Sequence, residues 1–403
     1  MFQQETWDFI CTHRNEDVHQ LALKKPTNDL VDLKQALVQI EGYQTARRKL
    51  PQWADTPKII FPPRISMEQC SSEVTARYKQ QVAERLLKNL KPPLCMADMT
   101  GGFGIDFSYL APLFDRAVYI EQQEVLCRIA AHNMQVLQLN QAEVCCGNGT
   151  EIMPTKAPLS LVFIDPARRD TQGKKTVALA DCTPNLEEVA ECIVKCSSFG
   201  MAKLSPMLDI HQALTALRQV SEVHVVSVDN ECKELLLVLQ ASAGSDVRMH
   251  CINLQKGGMQ EFSYNLNDEN EAEAVYTDQP DLYLYEPNAS LLKAGAFKCL
   301  CRQYKVQKLH PNSHLYTSDT LLPEFPGRRF RIMNRYALNK QDMKRLTKEL
   351  PKANITIRNF PSSVQEMRKK MKIKEGGNHY LFLTTLKNEE HVILDCVKAD
   401  GAE

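Results

Sequence analysis

The sequence has no run of about 18 apolar residues, so no membrane-spanning helix is expected. Its first residues, Met-Phe-Gln-Gln-Glu-Thr-Trp-Asp, offer neither a basic start nor an apolar core, and a secretory signal is not expected. Cys-x-x-Cys pairs are missing. The 14 cysteines scatter through apparent core segments, and Cys192-x-x-x-Cys196 and Cys299-x-Cys301 have no paired histidine spacing. That pattern speaks against structural zinc and disulfides, and for buried free thiols in a reducing cytoplasm. Internal repeats and low-complexity segments are also lacking.

The 403 residues suffice for two or three domains of roughly 100–200 residues each. A hydrophobic share of 43% and a charged share of 24% are those of an ordinary globular protein. Net charge is zero but uneven, with 21 Lys and Arg against 6 Asp and Glu between Pro287 and Lys387. A basic segment on a neutral chain is the asymmetry expected where one part meets a polyanion such as RNA.

Residues 1–93 read as a helical region. Leu30, Leu33, Leu37 and Ile40 mark one apolar helix face, which Arg47, Arg48 and Lys49 close. Ser71 or Ser72 can cap a helix running through Val82 and Leu86. Residues 94–240 alternate between strands and helices, with strands at Cys95–Asp98, Ala117–Ile120, Ala142–Cys146, Leu159–Ile164, Phe199–Leu204, Glu222–Val228 and Glu234–Leu239. The result is an α/β fold with a mostly parallel, doubly covered sheet. Only 229–233 separate the last two strands, too few for a parallel crossover, so an antiparallel hairpin is expected there. Residues 241–325 read as a connecting α+β region and 326–403 as a small α+β domain with alternating strands and helices.

Strand one ends in Asp98, and Thr100, Gly101, Gly102 and Gly104 follow as a turn before a helix, a pattern that cradles a nucleotide-like ligand. The third glycine of a nicotinamide fingerprint is absent, and so is the Gly-Lys-Ser/Thr of a P-loop. The order of residues resembles the S-adenosylmethionine loop of class I methyltransferases, with Thr100 standing where many members have glycine. In that fold Asp98 would hold the ammonium of the cosubstrate. Glu121, 19 residues after Gly102, would bond the ribose with Gln122 beside it, and Asn148-Gly149 would meet the adenine. The fourth strand ends in Asp165-Pro166-Ala167-Arg168-Arg169. Base-amino methyltransferases often carry Asp/Asn-Pro-Pro and an aromatic residue at that lip, so Asp165 and Pro166 match while Ala167 and Arg168 depart. Arg168 or Arg169 can stack on a base, bind phosphate, or pair with Asp170 and Asp181.

Ser72-Glu-Val-Thr-Ala-Arg-Tyr-Lys79, Asp98–Asp106, Asp165–Arg169 and Lys203-Leu-Ser-Pro-Met-Leu-Asp209 resemble a bacterial family of class I S-adenosylmethionine-dependent methyltransferases with a C-terminal THUMP-like domain. Glu286–Phe297, Phe325–Phe330 and Arg358–Pro361 are similar to its later blocks. The resemblance covers nearly the whole chain. It implies a Rossmann-like sheet with an antiparallel last strand, a ferredoxin-like connecting region, and methylation of structured RNA without a metal. On this reading Asp165, Pro166 and Arg168 are the catalytic residues. Arg328, Arg329, Arg331, Arg335, Arg368, Lys369, Lys370, Lys372 and Lys374 would meet phosphates, and Tyr336 and Phe360 would stack on bases. Two alternatives stay open: a methyltransferase acting on protein or a small molecule, and an RNA-binding protein whose methyltransferase fold has lost turnover. Oligomeric state is not legible.

Overall fold

The computed structural model describes residues 2–23, 28–168, 179–244 and 246–399. The chain divides into two compact units, 1–221 with 235–244 and 222–234 with 245–403.

In the first unit Asp32 accepts the Gln35 N–H at 3.0 Å and starts the helix Leu33–Lys49. The helix buries Ala36, Gln39, Ile40, Gly42 and Ala46, while Leu30 lies before it and is exposed. Gln39 bonds the Phe61 carbonyl and N–H, each at 2.8 Å, and so pins the proline-rich stretch that follows. Trp53, Phe61 and Met67 close a core with Phe103 and Tyr109. Ser72, not Ser71, caps the helix Glu73–Leu87.

Five parallel strands follow: β1 (Cys95–Asp98), β2 (Arg116–Glu121), β3 (Ala142–Cys146), β4 (Leu159–Ile164) and β5 (Ser197–Leu204). They lie in the order β3-β2-β1-β4-β5. All six residues of β4 are buried, as helices on both faces require. Two further strands are β6 (Val220–Val228) and β7 (Glu231–Leu239). Within the first unit β7 runs antiparallel to β5, with Leu204 opposite Leu235, which is the expected antiparallel last strand. β6 and β7 are hydrogen-bonded neighbours joined by Asp229 and Asn230, with φ of 48° and 64°. Two left-handed residues match the strand twist in a two-residue hairpin, so the turn is tighter than the five-residue loop expected. A helix at Gly149–Thr155 was not legible in the sequence because it carries Pro154, which sits in its last turn.

In the second unit β8 (Arg248–Gln255) pairs parallel with β6 and antiparallel with β9 (Gly258–Asn265). A separate seven-stranded sheet comprises β10 (Tyr283–Pro287), β11 (Gln307–Lys308), β12 (Tyr316–Ser318), β13 (Gly327–Ala337), β14 (Asn354–Arg358), β15 (His379–Thr385) and β16 (His391–Lys398), ordered β11-β12-β10-β13-β16-β15-β14. Two helices follow β10, Ala289–Ala294 and Phe297–Tyr304, separated where Gly295 turns left-handed at φ 76°. Phe330, Phe382, Leu284 and Leu394 form one core of this unit.

The start of the Gly149 helix is set by contact with β1: a Cβ on Gly149 would lie 2.2 Å from the Met99 carbonyl oxygen. Gly149→Ala should therefore lower unfolding stability by roughly 1–3 kcal/mol in urea titrations. Gly257→Ala, with nothing within 4 Å of the added carbon, should stay within about 0.5 kcal/mol.

Candidate active site

The carboxyl ends of β1 to β4 converge, and the turn after β1 is sewn to each neighbour. Gly101 donates to the Ile120 carbonyl at 2.8 Å, and Gly102 donates to Glu121 Oε2 at 3.0 Å. Gly101 has no room for a side chain, since a Cβ would meet the Tyr119 ring at 2.2 Å. Gly102 differs: its φ is 55°, and the nearest atom to an added Cβ is the Thr100 carbonyl oxygen at 3.7 Å. The backbone there faces open space, the condition for close approach of a ligand. Thr100, the departure from glycine, has a structural reason. Its hydroxyl accepts the Asp165 N–H at 2.6 Å and ties the loop to the end of β4.

Asp98 is 2% exposed and accepts the Thr100 N–H at 3.0 Å. Burial pushes its carboxyl well above the usual range, with the Thr100 N–H opposing. A buried carboxylate of this kind gains from an ammonium ligand. Glu121 spends one oxygen on Gly102 and the other on the Gln123 N–H at 2.8 Å, which fixes its orientation while each oxygen keeps a second acceptor position. Gln122 is exposed beside it. Asn148 accepts from Thr150 N–H at 3.1 Å and donates to Glu151 at 3.0 Å, so its amide is engaged as a helix cap. Buried acid, open glycine backbone and anchored second acid together fit the ammonium, carboxylate and ribose of S-adenosylmethionine.

At the end of β4 the structure assembles a charge chain that sequence spacing did not disclose. Lys203, the one charged residue of β5, places Nζ 2.5 Å from Asp165 Oδ2. It also donates to Ser71 Oγ at 3.2 Å. Ser71 donates to Asp106 Oδ2 at 2.7 Å and accepts from Lys79 at 3.2 Å. Lys79, fully buried, lies 3.1 Å from Asp106 Oδ1. Burial alone would raise Asp106, but Lys79, Lys203 and the Ser71 hydroxyl outweigh it and hold the carboxyl below its usual range. Asp165 goes the other way. Burial raises it and Lys203 opposes that rise. Lys79, Asp106 and Lys203 each stand at an end of a block that carries the family resemblance, but nothing in the sequence pairs them with one another. Pro166 is buried next to Asp165. The backbone of Ala167–Arg168 pairs with Cys182–Thr183. Arg169, Asp170 and the Arg168 side chain lie outside the described residues, so their proposed pairings do too.

In the second unit several expected RNA contacts are otherwise engaged. Tyr336 is 1% exposed, with its hydroxyl on Glu349 at 2.8 Å, and cannot stack on a base. Arg328 and Arg358 clasp Glu286, itself 3% exposed, at 2.6 Å and 2.9 Å. Arg335 pairs with Glu390 and Arg368 with Glu375. Phe360 is half-buried against the core and His391. Lys369, Lys370, Lys372 and Lys374 are exposed. A shallow groove between the helices Lys340–Glu349 and Val364–Met371 is lined by Lys344, Lys348, Lys370 and Lys372 over Met343 and Met371. The lysines at 344 and 348 were not singled out from the sequence.

Two family models match the chain: a ferredoxin-like domain over residues 283–326 and a THUMP domain-like family over 327–398. No curated protein matches significantly. A solved structure described as a candidate methyltransferase from Porphyromonas gingivalis W83 is 33% identical, covers 99% of both chains and superposes with a TM-score of 0.88. An rRNA methylase structure from Streptococcus thermophilus is 15% identical over 40% of this chain and 93% of its own, with a TM-score of 0.31. A candidate methyltransferase from Streptococcus mutans in complex with SAH is 12% identical over 40% and 96%, with a TM-score of 0.30. The near-complete match at 33% identity and the C-terminal domain match place the chain in its family: it belongs to the family of the Porphyromonas gingivalis candidate methyltransferase and carries a C-terminal THUMP-like domain.

Proposed function

We propose that this protein transfers a methyl group from S-adenosylmethionine to a base in structured RNA. The observation that carries the reading is the convergence of Asp98, the open Gly102 backbone, Glu121 and Asp165 at the ends of three adjacent parallel strands, β2, β1 and β4. The division into a helical region to 93, a methyltransferase domain to 240, a ferredoxin-like region to 325 and a THUMP-like domain beyond is part of the proposal.

The cosubstrate supplies an activated methyl group on a sulfonium, so the protein mainly contributes proximity and alignment. Asp98 would hold its ammonium, the backbone of Gly101, Gly102 and Gly104 would pass along its carboxylate, and Glu121 with Gln122 would reach the ribose. Asn148-Gly149 would border the adenine, with Asn148 limited by its capping bonds. Thr100 holds the Asp165 backbone, and Lys203 holds its carboxylate. Asp165 would orient the attacking nitrogen and take its proton, Pro166 would stiffen the lip, and Arg168 would meet the acceptor. RNA phosphates would lie on the lysine groove and on exposed Arg331, with the other arginines serving the fold. A cytoplasmic location follows from RNA as substrate. No metal enters the transfer.

Calorimetry with S-adenosylmethionine should show one site on the wild type and at least tenfold weaker binding for Asp98→Asn. Equal affinity in the two would remove Asp98 from the site. Lys203→Met strips the ammonium that opposes the upward shift of Asp165. The acid limb of the methylation pH–rate profile should then move to higher pH, because a larger fraction of Asp165 is protonated at a given pH. Asp106→Asn should cost about 3–5 kcal/mol of stability, since it removes a carboxylate that offsets the fully buried Lys79.

For RNA, joint charge reversal of Lys344, Lys348, Lys370 and Lys372 should weaken binding roughly tenfold or more at low salt and flatten the slope of log K against log salt. Gel shifts across a salt series measure both. Unchanged affinity and slope would move the RNA surface elsewhere.

A further inference from the structure

The second unit carries a cluster of metal-ligand type that the transfer reaction does not use. β6 and β8 run parallel with His224 opposite His250. Glu222, two residues before His224, shares its face of the sheet, because side chains alternate along a strand. β9 places Ser263 opposite His250, with Glu261 two residues earlier on the same face. Five polar groups from three strands therefore occupy one patch.

Their atoms are ordered as a site. His224 Nε2 lies 3.1 Å and His250 Nε2 3.8 Å from the same Glu222 oxygen, Oε2. The three ligand atoms lie within 4.8 Å of one another. The two rings stack at 4.4 Å and 8°. On the far side of His250, Ser263 donates its hydroxyl to Glu261 at 2.7 Å, and its oxygen sits 2.8 Å from His250 Nδ1. Since the Ser263 proton is committed to Glu261, its oxygen accepts from Nδ1–H. His250 is thereby held as the tautomer whose Nε2 presents a lone pair towards Glu222 and His224. A histidine whose far nitrogen is fixed by a hydroxyl and a carboxylate is the usual support of a metal ligand. The side chains of His224, His250 and Glu222 are 2%, 14% and 16% exposed, so the patch is largely shielded.

We propose that Glu222, His224 and His250 bind one zinc ion, with water in the fourth position and Glu261 and Ser263 as outer support. Two neutral imidazoles and one carboxylate are the nitrogen and oxygen donors that divalent zinc takes. Tetrahedral bonds of about 2.0–2.1 Å put ligand atoms roughly 3.3 Å apart. The two Glu222–histidine separations, 3.1 Å and 3.8 Å, lie near that value, and all three ligand atoms lie within 4.8 Å of one another. Parallel stacked rings do not aim both lone pairs at one ion, so ligation turns the rings out of the stack about their soft χ2 torsions. The ion would clip β6 to β8 and stabilise the unit by mass action.

The test uses the full-length, chelator-stripped protein titrated with Zn²⁺ and, in parallel, Co²⁺. The 14 free cysteines are the competing ligands, and cobalt separates the two cases because bound thiolate adds a near-ultraviolet charge-transfer band that nitrogen and oxygen donors do not. The expected result is one ion per chain, tetrahedral cobalt absorption without the thiolate band, and a higher thermal midpoint with zinc. Glu222→Gln and His250→Gln should each weaken binding at least tenfold. Two variants on partly exposed residues are used because replacing the buried His224 can disturb folding. Absence of binding, a thiolate band, or unchanged affinity in both folded variants overturns the proposal.

Discussion

The contact between Lys203 and Asp165 sets the charge balance at the end of β4. Burial pushes Asp165 towards the neutral form, while the ammonium at 2.5 Å pushes back. Lys203 is itself placed by Ser71, which is shared with Asp106 and Lys79. One serine before a helix, one lysine within it, one acid after the glycine turn and one lysine in β5 thus form a single charge chain ending at the candidate reaction centre. Removing one member leaves the others buried with the wrong charge balance, so the chain is a unit.

The glycine turn serves this arrangement from the other side. Thr100 ties the backbone of Asp165, and Gly102 and Glu121 lock to each other. Positions of the turn, the second acid and the fourth-strand acid are therefore fixed by hydrogen bonds from backbone N–H groups to the Glu121 and Thr100 side chains. A hydrogen-bonded frame of this kind suits the proposed alignment of a preactivated methyl group.

Much of the frame was legible in the sequence. β3 and β4 fall at the expected residues, because apolar runs bounded by glycine, proline and capping residues leave little choice. Convergence was less legible. Lys79 and Lys203 stand in blocks of the family resemblance, but their partners appear only when the fold brings 71, 106 and 165 beside them. Arg328 reads as a phosphate ligand until Glu286, 42 residues away, proves to be its partner. Tyr336 reads as a stacking platform until strand alternation turns it inward. Thr100 reads as a defect in the glycine pattern until its hydroxyl finds the Asp165 N–H. Each miss concerns a contact between residues far apart in the chain, which local periodicity does not encode.

Methyl transfer to an RNA base with Asp165 at the reaction centre is open to test by mass spectrometry of RNA nucleosides from cells lacking the protein, complemented with either wild type or Asp165→Ala. One base-methylated nucleoside should be lost in the deletion, return with the wild type and stay lost with Asp165→Ala. An unchanged nucleoside profile in all three strains, or full restoration by Asp165→Ala, would contradict it.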